Sequence, residues 1–120
     1  MVKDLNTTIT IKGMSGVDYI FNVYGFKKLS DLENAFKKTP ALYAFTRRFH
    51  QGFSFSHDLI SVGETNDLSS WFNQRTEGRV LRSDANCICI HSFRGTTIER
   101  QIAETDIQKA CGLSFSLQNF

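Results

Sequence analysis

Ala41-Leu42-Tyr43-Ala44-Phe45-Thr46 and, further along, Asp58-Leu59-Ile60-Ser61-Val62-Gly63 are the stretches on which the fold of this chain turns. The first is almost wholly apolar, rich in strand-favouring residues, and begins at Pro40, which pushes Thr39 out of helical backbone space. The second has the same character and ends on a glycine. A polar, glycine-containing loop joins them, so the two are predicted to be neighbouring strands. Further out, Cys87-Ile88-Cys89-Ile90 is apolar at every position, which predicts a central strand covered on both faces.

Towards the N-terminus, Thr8 to Ile11 alternates polar and apolar residues, Gly13 to Gly16 supplies a turn, and Tyr19 to Tyr24 returns as a strand. Ser30-Asp31-Leu32-Glu33 reads as a capping box opening a helix over 30–39, with Leu32, Ala35 and Phe36 as its apolar stripe and Pro40 as its stop. A short helix is predicted over Asn66 to Gln74, with Leu68, Trp71 and Phe72 on one side. The last helix opens on a second capping box, Thr96-Thr97-Ile98-Glu99, and closes near Gly112. Its apolar positions are Ile102, Ala103, Ile107, Ala110 and Cys111. The order ββαββαβα predicts a small α/β (α+β) domain, a mixed sheet flanked by helices.

With 120 residues the chain suits one domain. Its eleven phenylalanines make an aromatic core plausible, and its single proline argues against a long linker. A net charge of +2 predicts no nucleic-acid partner by itself, because such binding needs clustered cations. The pairs Lys27-Lys28, Lys37-Lys38 and Arg47-Arg48 are the local clusters. No stretch is long and apolar enough to span a bilayer, and the opening residues lack a signal-peptide core. With Cys87, Cys89 and Cys111 read as reduced thiols, the expectation is a cytoplasmic protein without a membrane partner. His50, His57 and His91 show no metal-site spacing.

Ala41-Leu42-Tyr43 resembles the GIY element of the GIY-YIG nuclease domains, with alanine for its glycine. Ser61-Val62-Gly63-Glu64-Thr65-Asn66-Asp67-Leu68 resembles the YIG element and the G-x-T-x-x-L segment after it. Glu104 stands where that family's helix carries a metal-binding glutamate. The resemblance covers residues 41–112 and leaves 1–40, the hairpin and first helix, as an N-terminal extension. It implies a fold that cleaves phosphodiesters with one divalent metal, Mg or Mn, held by the glutamate, while a tyrosine activates water and an arginine meets phosphate charge.

The departures from that pattern shape the functional expectation. Ser61 replaces the YIG tyrosine, and Trp71 replaces the arginine, so a cation is missing where phosphate charge would develop. Tyr43 and Glu104 are the retained catalytic candidates, and Glu104 is the metal candidate. At about 100° per residue Glu104 lies about 240° round its helix from Ile98, at the rim of the apolar stripe. Arg47, Arg48 and Arg75 are the phosphate or nucleic-acid candidates, Arg75 lying one turn beyond Trp71. The expected function is binding to DNA or to a protein, with no cofactor required. The rival is an active metal-dependent endonuclease that uses Tyr43, Glu104 and the relocated Arg75.

Overall fold

Strand Cys87–Ser92 is buried on both faces over Cys87 to Ile90 and takes the centre of the sheet, as an uncharged run must. The computed structural model describes residues 8–27, 29–32, 35–70 and 84–112. In chain order the strands are β1 (Thr8–Lys12), β2 (Asp18–Gly25), β3 (Ala41–Gln51), β4 (Ser54–Thr65) and β5 (Cys87–Ser92), and the helix α1 spans Thr97–Ala110. They form a five-stranded sheet in the order β1-β2-β5-β3-β4, and each of these pairings is antiparallel. The class is α+β. The described helix is not long and apolar enough to cross a membrane.

The sheet is curled. Edge strands β1 and β4 line one shared cavity, and α1 lies across the concave face touching both. Part of the bending is local: Phe45 faces Ser61 but Thr46 faces Leu59, which leaves Ile60 as the extra residue of a bulge. Two cores result. Phe21, Val23, Leu42, Ala44, Cys87 and Cys89 pack on the concave face beneath Ala103 and Ile107 of α1. On the convex face Leu32, Phe45, Leu68, Ile88 and Ile90 pack together, flanked by Tyr24, Phe36 and Tyr43.

Three elements depart from the sequence expectation. Instead of a helix over 30–39 there is a single 3-10 turn, Leu29–Leu32, after which Ala35 to Lys38 includes bends and no helix. Leu32 and Phe36 each anchor in the convex core while Ala35 is exposed, and Lys37 to Pro40 add no apolar face to sustain so short a helix. Glu33, half of the expected capping box, lies outside the described residues. Over 66–70 the chain turns rather than coils: Asp67 Oδ1 accepts the Ser69 amide at 2.9 Å, and Leu68 hangs from the Thr39 carbonyl at 2.9 Å. The rest of that expected helix, 71–74, lies outside the described residues. Finally, the polar loop expected between β3 and β4 is almost entirely strand, closing on Gly52-Phe53 with Gly52 at φ +66.

The last helix starts as expected. Thr96 Oγ1 accepts the Glu99 amide at 3.1 Å, and Glu99 Oε1 accepts the Thr96 amide at 2.8 Å. Its buried face differs. Ile98 and Ile102 are exposed at 68% and 64%, and Ala110 and Cys111 also face solvent, whereas Arg100 and Gln108 are buried beside Ala103 and Ile107. Polar partners in the β1–β2 turn, on β2 and on β4 set this rotation. Asp106 accepts hydrogen bonds from the Ser15 amide, the Ser15 hydroxyl and the Tyr19 hydroxyl at 2.8, 2.7 and 2.9 Å. Burial and then Asp106 push the Tyr19 phenol up to about 12, so it stays a donor.

Candidate functional site

Polar residues collect where α1 crosses β4. Arg100 is almost completely buried, and its guanidinium is spent on four acceptors. Nε donates to Glu64 Oε1 at 3.2 Å, Nη1 to the Gly95 carbonyl at 2.6 Å, and Nη2 to Thr97 Oγ1 at 3.1 Å and to Asn66 Oδ1. One turn on, half-buried Glu104 meets the same Glu64. Burial and then the Glu64 charge push the Glu104 carboxyl up to about 7, although the Glu64 amide, which donates to it, opposes the rise. A further turn on, Gln108 Nε2 donates to the Val62 carbonyl at 3.2 Å.

This donor set does not fit a divalent metal. The Arg100 guanidinium stands where a cation would neutralise Glu64, and Glu104 relieves the remaining repulsion by holding a proton near neutrality. Among the described residues no group of three or more His, Cys, Asp or Glu side chains gathers to hold a metal.

Tyr43 is on the other side of the sheet. Strand alternation sends Leu42 and Ala44 to the concave face under α1 and Tyr43 and Phe45 to the convex face. The Tyr43 ring lies over Gly63, its cross-strand partner, so closely that a Cβ there would overlap the phenol. Ser61 shares that convex side, opposite Phe45. The sheet therefore separates Tyr43 and Ser61 from Glu104. Trp71 and Arg75 lie outside the described residues.

Arg47 and Arg48 open a different structure. β3 pairs with β5 only as far as Thr46, yet β3 and β4 stay paired to Gln51 and Ser54. Residues 47–58 thus form a two-stranded arm beyond the sheet, with no third described strand beside it. Asn86 marks its root: its side-chain amide donates to the Arg48 carbonyl at 2.9 Å and accepts from the Arg48 amide at 2.6 Å, standing in for a further β5 residue. On one face Arg47 pairs with Asp58 at 2.7 Å and lies 4.9 Å from the Phe49 ring centre. On the other, Arg48 lies 4.9 Å from the centre of Phe55, which also stacks with His50 at 4.5 Å. Phe53 at the tip is fully exposed, and Phe55 is 49% exposed.

Sequence reasoning missed this arm as a unit, although Phe53-Ser54-Phe55-Ser56-His57 alternates and Gly52 precedes it. It also missed Glu64, Asn66 and Arg100, for which the fourfold spacing of Arg100, Glu104 and Gln108 was the available sign. No family model, curated protein or solved structure matches this chain.

Proposed function

We propose that this is a GIY-YIG-like domain that binds single-stranded nucleic acid rather than cutting it, and that the β3–β4 arm is its binding element. The carrying observation is the interleaving on the arm of Arg47 and Arg48 with Phe49, Phe53 and Phe55, the Phe53 ring wholly in solvent. Exposed rings offer stacking platforms to unpaired bases, and exposed Arg47, held against Phe49 and paired with Asp58, sets a planar cation beside them for which phosphate can compete. The domain assignment draws support from the adjacency of Ala41-Leu42-Tyr43 and Ser61-Val62-Gly63, with Tyr43 opposite Gly63. Separation of Tyr43 from Glu104 weighs against the endonuclease. Its three free thiols, two of them buried, suit a reducing cytoplasm.

Fluorescence anisotropy with a labelled single-stranded oligonucleotide tests the reading. Phe53→Ala should weaken binding by about 5- to 100-fold, the value of one lost stacking contact. Arg47→Ala should lower the salt slope by roughly 0.7. Absence of binding at low salt, or indifference to Phe53, would refute it. Plasmid cleavage with Mg or Mn that disappears in Glu104→Ala would put the endonuclease in its place.

A further inference from the structure

The apolar patterning of the chain continues past α1. Leu113-Ser114-Phe115-Ser116-Leu117, outside the described residues, alternates with the two-residue period of a strand that buries one face. Just before it, the Cys111 amide donates to the Ile107 carbonyl at 3.0 Å, and Gly112 at φ +68 turns the chain out of the helix. Cys111 lines a hollow of about 500 Å³ between β1 and β4, together with Ile9, Ile11 and Leu59. Those three side chains pack against the concave core yet are only partly buried. The alternating segment therefore sets out from the mouth of an unfinished apolar hollow.

The course of α1 gives its direction. Asp106 bonds to Met14 and Ser15, beyond the end of β1, whereas Cys111 lies with Ile9 to Lys12 of β1 itself. On the other side Gln108 donates to the Val62 carbonyl, and Cys111 lies with Leu59. At its end the helix is thus travelling against both strands. Four successive antiparallel pairings make β1 and β4 run the same way, so a single strand antiparallel to both fits between them. β1 is the better partner of the two. It has five residues, about 17 Å of strand, which matches the five of the alternating segment, whereas β4 is broken by its bulge at Ile60. No described strand pairs with the outer edge of β1, and native proteins seldom leave such an edge uncovered.

We propose that Leu113 to Leu117 docks on its own chain as a sixth strand antiparallel to β1, with Leu113, Phe115 and Leu117 turned onto Ile9, Ile11 and Leu59 and the two serines facing away. The curled sheet then closes towards a barrel. The inference invokes no residue of the arm, so it stands or falls separately from nucleic-acid binding.

NMR of the full, unaltered chain is the first test. Alternate amides of β1 face β2, and a strand on the other edge protects the ones between. Consecutive amides from Ile9 to Ile11 should therefore all be protected from exchange, and the Phe115 ring should show contacts to the Ile9, Ile11 and Leu59 methyl groups. Phe115→Ser should speed exchange at alternate β1 amides by at least about tenfold, while Ser114→Lys should change it by less than about twofold. If Phe115→Ser does not fold, the spectra of the unaltered chain decide. Strictly alternating protection along β1, or a Phe115 ring without contacts to those methyl groups, would overturn the proposal. So would Phe115 contacts to Met14, Ile98 and Ile102, which line a separate groove between α1 and the β1–β2 turn. Contacts that arise only between differently labelled chains would overturn it in favour of a second copy.

Discussion

Glu104 holds its proton more tightly in the folded protein than in the unfolded chain, because burial and Glu64 raise its carboxyl from 4.5 to about 7. The sign of the linkage follows. Its contribution is most favourable below about 4.5, falls as pH climbs towards 7, and is fully lost above that. Glu104→Gln keeps an acceptor for the Glu64 amide and removes the charge. It should therefore stabilise the protein at pH 8 by about 1–2 kcal/mol after allowance for solvent screening, and by much less near pH 4. Urea unfolding of both proteins at the two pH values checks this, and parallel behaviour at both would mean that Glu64 and burial do not act on Glu104. The sequence shows Glu104 as a rim carboxylate. It does not show that Glu64 meets it, because residues forty positions apart become neighbours only when α1 crosses β4.

At the scale of elements, α1 is the one whose ends were legible. Thr96 and Glu99 satisfy each other's orphan amides through contacts three residues apart, so the box depends on local sequence alone. Thr96→Ala should cost about 1 kcal/mol in thermal or urea unfolding, and a cost near zero would deny the cap its role. Its rotation was not legible. Ile98 and Ile102 look like core on any helical projection, but Asp106 at the β1–β2 turn and Arg100 at β4 hold them outward. The segment after β2 went wrong for the converse reason: Leu32 ends a 3-10 turn and Phe36 sits in a bend, and both still reach the convex core. In the arm, Gly52 and the alternation after it were visible, but a ribbon this long needs both strands read together.

Over the whole molecule, stability should be graded. β5 is bonded on both sides and buried on both faces, whereas among the described strands those of the arm pair beyond Thr46 only with each other, with Asn86 bonded at the root. Amide hydrogen exchange should find Ile88 to Ile90 opening only with global unfolding, and Phe49 to Ser56 exchanging at least roughly 100-fold faster. Uniform protection across the two would remove the basis for treating the arm as a separate binding element.

The amino-acid sequence by itself determined the α+β class, the central place of Cys87 to Ile90, the β1–β2 hairpin and the caps of α1. Each rests on periodicity or on contacts a few residues apart, and those interactions survive in any fold. Only the tertiary structure decided which side chains share a face. It set Tyr43 and Glu104 on opposite sides of the sheet, ran β3 and β4 out into an arm, and left a cavity between β1 and β4. Alternation within a strand says that neighbouring side chains part, but which face an incoming helix covers depends on how the sheet curls, and that is set by contacts between residues far apart in the chain.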